Sequence, residues 1–236
     1  MRCSSFWRTC VTWSITLLLC SLTLGVPRAG ADEPVAGKRE IHCFLLSGQS
    51  NMVGLREDRF FTPFVRKAFP NNRVIVVKAA KNGKPISDWY AFRKKNPRGP
   101  TYHQLMRRLS KQLGGERCAT VTFVWMQGES DAKKRGGTYA ASLQGLLRLI
   151  KEDLKVQEIN LVLGRLSDYE SADYPQWEMV RRAQMQVADA HPRGVWIDTD
   201  DLNGKQDALH YTASGYKELG RRFARRSIEL LKRPAH

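Results

Sequence analysis

The sequence predicts an α/β fold: a parallel sheet of five strands covered on both faces by helices. Two patterns carry that expectation. Five short apolar runs, rich in β-branched and aromatic residues, end in small or polar residues, and the stretches between them repeat apolar positions every three or four residues. Strand alternating with helix is the layout of a doubly covered parallel sheet.

The first strand is read at Ile41-His42-Cys43-Phe44-Leu45-Leu46, stopped by Ser47-Gly48, and the second at Arg73 to Lys78 around Val74-Ile75-Val76-Val77. Ala119 to Met126 makes a third, and Ile159 to Leu163 and Val195 to Ile197 make the fourth and fifth. A helix is read from Tyr139, Leu143, Leu146, Leu147, Ile150 and Leu154, and a last one from Tyr216, Leu219, Phe223, Ile228 and Leu231. No internal repeat or low-complexity tract interrupts the pattern, so residues 41–233 are expected to form one domain.

Ahead of that domain, Arg2 and Arg8 flank the start, an apolar run extends from Val11 to Val26, and Ala29-Gly30-Ala31 offers a small-residue cleavage site. This is the three-part layout of a secretory signal over residues 1–31, followed by a polar linker over 32–40. The run is short for a permanent span, so the expected product is secreted or periplasmic, without a stable membrane anchor.

The 236 residues, 42% hydrophobic and 26% charged, exclude a disordered or collagen-like chain. Cleavage would remove three arginines and no acid, lowering the net charge from +16 to +13. A basic domain favours anionic partners. Nucleic acid is not among those expected: Lys217, Arg221, Arg222, Arg225 and Arg226 fit the solvated face of the last helix, with no interleaved aromatics to stack on bases. Of five cysteines only Cys43 and Cys118 would survive cleavage. Lying beside apolar strands, they are expected as buried free thiols more readily than as a bridge. No HExxH, CxxC, GxGxxG or GxxxxGK[ST] pattern is present, and no metal or cofactor is expected.

In an open parallel sheet ligands collect at the carboxyl ends of the strands. After the first strand comes Ser47-Gly48-Gln49-Ser50-Asn51-Met52, after the third Gln127-Gly128-Glu129-Ser130-Asp131, and after the fifth a loop ending Asp207-Ala208-Leu209-His210. Ser50, at a strand end opening into a helix, suits either a helix cap or an exposed nucleophile. An acid three residues before a histidine can bond its Nδ1 and leave Nε2 facing a nucleophile, which favours the second role. Gly83, after the second strand, allows close approach of backbone to substrate. Trp89, Tyr90, Tyr169, Tyr174 and Trp177 either stack on a substrate ring or plug the rim of the core.

The blocks GQSNM (Gly48 to Met52), WMQGESD (Trp125 to Asp131) and Asp207 to His210 resemble the sialate O-acetylesterase-type domain, which includes the family 6 carbohydrate esterases of the SGNH hydrolase superfamily. The resemblance runs from Ile41 to Arg226. It implies a three-layer α/β/α, flavodoxin-like SGNH fold and removal of acetyl groups from sugars. By position it implies Ser50 as nucleophile, His210 as general base and Asp207 as the acid behind it, with Glu129 as an alternative acid. The oxyanion hole would be Ser50 N–H, Gly83 N–H and the Gln127 side chain, and Gln49, Asn51 and Trp89 would frame the substrate, with Gln49 and Asn51 equally suited to structural hydrogen bonds at a strained turn. Met52 stands where the elbow of an α/β-hydrolase needs glycine, which disfavours that class. The expected activity is a secreted serine esterase acting through an acyl-enzyme on acetylated carbohydrate, neutral or anionic. The alternatives are an SGNH esterase for lipid or simple acyl esters and an inactive binder of anionic polysaccharide; Ser50, Asp207 and His210 together favour an enzyme.

Overall fold

A computed structural model describes residues 39–169 and 171–234. The expected leader and nearly all of the linker lie outside the described residues. In chain order the elements are β1 (Ile41–Gly48), α1 (Ser50–Gly54), α2 (Glu57–Phe60), α3 (Thr62–Ala68), β2 (Arg73–Ala80), a 3-10 turn (Ile86–Asp88), α4 (Pro100–Leu113), β3 (Thr120–Met126), α5 (Gly136–Leu154), β4 (Asn160–Gly164), α6 (Trp177–Ala190), β5 (Gly194–Ile197) and α7 (Ala213–Lys232).

The five strands form one parallel sheet in the order β2-β1-β3-β4-β5. β1 is buried along its whole length, whereas β2, at an edge, alternates buried and half-buried residues. The chain steps from β1 outward to β2 and then reverses through β3, β4 and β5. Because crossovers are right-handed, that reversal puts α3 on one face and α4, α5 and α6 on the other, and α7 returns to pack beside α3. The result is the α/β/α sandwich expected. Its topological switch point lies between the carboxyl ends of β1 and β3, where both chemistry-bearing loops emerge.

β1 and β2 each run two residues past the strands read from the sequence, because Ser47 is satisfied inside the sheet: its hydroxyl donates to the Ala79 carbonyl and accepts from Trp89 Nε1. α4 and α6 carry signals that the strand-centred reading passed over. In α4 these are Pro100 at the first turn, buried Leu105, Leu109 and Leu113 at four-residue steps, and a left-handed Gly114 at the end.

The cysteines correct the expectation of free thiols. β1 and β3 are neighbours, which places Cys118, just ahead of β3, with its Cα 5.9 Å from that of Cys43, and the two form a disulfide across 75 residues of sequence. Closing so long a loop restricts the unfolded chain, so Cys118→Ala should cost about 2–4 kcal/mol in urea unfolding. Esterase activity at 25 °C should persist, since the bridge lies at the amino ends of the strands, opposite Ser50. An unchanged urea midpoint would show that the bridge contributes nothing.

Candidate active site

The site starts from a steric requirement at the end of β1. Gly48 has φ +151°, and a β-carbon there would collide with the Met126 carbonyl of β3. That close approach lets Gln49 N–H donate to Met126 O at 2.9 Å, turning the chain across the end of β3 and straight into α1. Ser50 is the first residue of α1, half-buried, and its own N–H has no acceptor among the described residues.

His210 reaches Ser50 from a sequence distance of 160 residues: His210 Nε2 lies 3.1 Å from Ser50 Oγ. Its loop is shaped by one carboxylate. Asp207 Oδ1 accepts from the backbone N–H groups of Leu209 (3.0 Å) and His210 (2.9 Å), while Oδ2 lies 2.9 Å from His210 Nδ1. The three-residue spacing thus folds the turn and orients the ring with the same group. Those bonds, led by the His210 backbone N–H, hold the Asp207 carboxyl below its usual range although the side chain is 57% exposed.

Asn51 joins the three loops. Its Nδ2 donates to Glu129 Oε1 (3.0 Å) and Leu209 O (3.1 Å), and its Oδ1 accepts from Tyr216 OH (3.2 Å) and, weakly, from Tyr211 N–H (3.4 Å). Asn51 is therefore a buried strut between the Ser50 and His210 loops, the structural one of its two expected roles, and not a substrate ligand. Glu129 is 2% exposed, makes no hydrogen bond to His210, and has its carboxyl pushed up to about 7 by burial, with the Asn51 bond and nearby His210 pulling the other way.

Ser50 and His210 open into a cleft of about 590 Å³, whose lining includes Gln49, Asn82, Gly83, Glu129, Lys133, Arg135 and Tyr174. Gly83 sits there with φ +62° and, like Ser50, an N–H without an acceptor among the described residues. Lys133 Nζ lies 4.9 Å from the centre of the Tyr174 ring. Among the described residues no cluster of three or more His, Cys, Asp or Glu side chains could hold a metal ion, and no helix is long and apolar enough to cross a membrane.

A sequence model of the family "Carbohydrate esterase, sialic acid-specific acetylesterase" matches residues 54–229, most of the chain. The chain belongs to this family. It is a carboxylic ester hydrolase, and its fold is that of the SGNH hydrolases. No curated protein matches the sequence. Among solved structures, a protein from Arabidopsis thaliana is similar at TM-score 0.64 and 17% identity, over 80% of this chain and 97% of that one. A carbohydrate acetylesterase from Xanthomonas citri is similar at TM-score 0.62 and 14% identity, over 80% of this chain and 56% of that one. A lipase/acylhydrolase from Enterococcus faecalis is similar at TM-score 0.52 and 19% identity, over 83% of this chain and all of that one.

Two expected site residues of this acetylesterase-family chain lie elsewhere. Trp89 is fully buried, its ring edge-on to Trp125 at 5.1 Å, so it belongs to the core and not to the substrate surface. Gln127 is also fully buried, and its Nε2 faces three acceptors: Asp131 Oδ2 (2.6 Å), Gln49 Oε1 (3.2 Å) and Lys84 O (3.2 Å). With two hydrogens and three acceptors, that amide has nothing left for an oxyanion, and it does not line the cleft. Gln49 does. Ser130 N–H can only donate, so the Gln49 atom 3.2 Å from it is the oxygen, and Gln49 Nε2 is the amide left without an acceptor among the described residues.

Lys133 and Arg135 were visible in the sequence only as members of a charged run. Their place on the cleft wall follows from the turn after Asp131, whose carbonyl accepts from Lys134 and Arg135 N–H and brings the side chains back over the site.

Proposed function

We propose that the chain is an exported serine esterase that removes O-acetyl groups from carbohydrate through an acetyl-enzyme. The observation carrying this reading is the unbroken relay from Asp207 through His210 to Ser50, opening on a cleft, in a chain of the carbohydrate esterase family. Ser50 Oγ attacks the acetyl carbonyl carbon while His210 Nε2 takes its proton. Negative charge developing on the carbonyl oxygen is met by Ser50 N–H and Gly83 N–H, with Gln49 Nε2 in the place foreseen for Gln127. Collapse expels the sugar oxygen, which takes the proton from His210. Water, deprotonated by the same nitrogen, then releases acetate and restores Ser50. Export is supported by Ala29-Gly30-Ala31 and by the Cys43–Cys118 bridge, which suits an oxidising compartment. Acetate release from a panel of O-acetylated glycans tests the reading; cleavage of simple esters with none from any glycan would overturn it.

Charge bears on the choice of glycan. Part of the basic surface of α7 is neutralised: Arg222 pairs with Asp201 and Glu218, and Arg226 with Glu229. Lys133 and Arg135 line the cleft itself, which supports an acidic group close to the ester. Raising salt from 0.01 to 0.1 M shortens the Debye length from about 30 to about 10 Å. kcat/KM for an acetylated acidic glycan should therefore fall several-fold over that range, and that for 4-nitrophenyl acetate should stay level. Identical salt profiles would remove the acidic group from the reading.

A further inference from the structure

Tyr174 is a wall shared by two cavities. On one side lies the esterase cleft; on the other lies a second cleft of about 510 Å³, lined by Asp168, Tyr169, Ser171, Trp177 and Arg181 among others. Its aromatic wall is built by edge-to-face packing, with Tyr169, Tyr174 and Trp177 ring centres 5.1–5.7 Å apart. Trp177 Nε1 is spent on Ser167 O at 2.7 Å. In contrast, the Asp168 carboxylate and the hydroxyls of Tyr169 and Tyr174 make no hydrogen bond among the described residues, although all three belong to residues lining the cleft. Aromatic surface beside uncommitted acceptors and hydroxyls is the chemistry that recognises a sugar ring: C–H faces against the rings, hydroxyls donated to the carboxylate.

We infer that this second cleft is a subsite for a neutral pyranose next to the acetylated unit, so that the enzyme acts on acetylated oligo- or polysaccharide in preference to an acetylated monosaccharide. The inference rests on the carbohydrate esterase reading above. Neutrality follows from the charges present. Arg181 is the one cation among the described residues lining the cleft, and its guanidinium is already engaged by Leu166 O (2.7 Å), Asp200 Oδ1 (2.8 Å) and Glu178 (3.3 Å). Asp168, which has no ion pair among the described residues, would repel a carboxylated ring there. The acid-tolerant position is thus at the ester, beside Lys133 and Arg135, and the neutral position is one unit away, beyond Tyr174.

The test is kcat/KM on singly O-acetylated β-1,4-linked xylose and glucose oligomers of one to four units, with 4-nitrophenyl acetate as a substrate too small to reach the second cleft. The expected result is a rise of about tenfold from monomer to longer oligomers, corresponding to about 1.4 kcal/mol. Asp168→Ala and Tyr169→Phe should lose most of that rise while hydrolysing 4-nitrophenyl acetate within about twofold of the parent. Asp168 is exposed and Tyr169→Phe keeps the packed ring, so both variants should fold. Acetate release that is independent of length in both series, or a rise intact in both variants, would overturn the subsite alone. No acetate from any sugar, with 4-nitrophenyl acetate still cleaved, would overturn the carbohydrate reading and the subsite with it.

Discussion

Ser50→Ala should abolish acetyl-ester hydrolysis, lowering kcat by at least about 10⁴-fold, while leaving the fold intact. The loss is large because Ser130, though it lines the same cleft, has no hydrogen bond to the base: among the described residues His210 Nε2 is hydrogen-bonded to Ser50 alone. The fold should survive because Ser50 Oγ makes only that one hydrogen bond among the described residues and its residue is half-buried, so the change in unfolding free energy should stay within about 0.5 kcal/mol. Acetate release and a thermal melt on the same preparation check both halves. Turnover like that of the parent would remove Ser50 from the chemistry and end the acyl-enzyme reading.

The second large effect separates the two acids. Asp207 holds His210 Nδ1 at 2.9 Å, whereas Glu129 bonds Asn51 and makes no hydrogen bond to the ring. Asp207→Asn should therefore cost about 10⁴-fold in kcat by presenting the wrong tautomer to Ser50. Glu129→Gln keeps an oxygen for Asn51 Nδ2 and should cost about tenfold or less. The reverse ranking would make Glu129 the acid behind His210. Glu129 also has a signature in stability. Its carboxyl titrates near 7 in the folded chain against 4.5 when exposed, so folding penalises the charged form, and wild-type stability declines from this group as pH rises from about 4.5 to 7. Glutamine has no such decline, so urea unfolding should move in favour of Glu129→Gln between pH 4 and pH 8. A pH-independent difference would mean that Glu129 is not held in a desolvated site.

The features legible in the sequence are those set by neighbours along the chain. Strand cores such as Val74 to Val77 and the α5 stripe from Tyr139 to Ile150 announce themselves because burial on one face imposes a period of two or 3.6, or a solid apolar run. The Asp207–His210 pair is legible for the same reason: a carboxylate reaches the N–H and ring three residues on within a single turn. Position at a strand end then nominates Ser50 without knowledge of its partners.

What the tertiary structure alone decided depends on which strands become neighbours and on which atom of each polar group faces which. The order β2-β1-β3-β4-β5 brings Cys118 to Cys43 and lays the Glu129 loop beside Ser50, and a hydrophobic pattern carries no strand order. Trp89 reads as a loop aromatic but is buried against Trp125 beneath Ser47. Gln49 and Gln127 are the same side chain in sequence terms. Their roles part because Ser130 N–H claims the oxygen of one, while Asp131, Lys84 and Gln49 claim the nitrogen of the other. Hydrogen-bond polarity is a property of assembled loops, so chain-local patterns nominate the relay from Asp207 to Ser50 and only the packed structure chooses the donors that surround it.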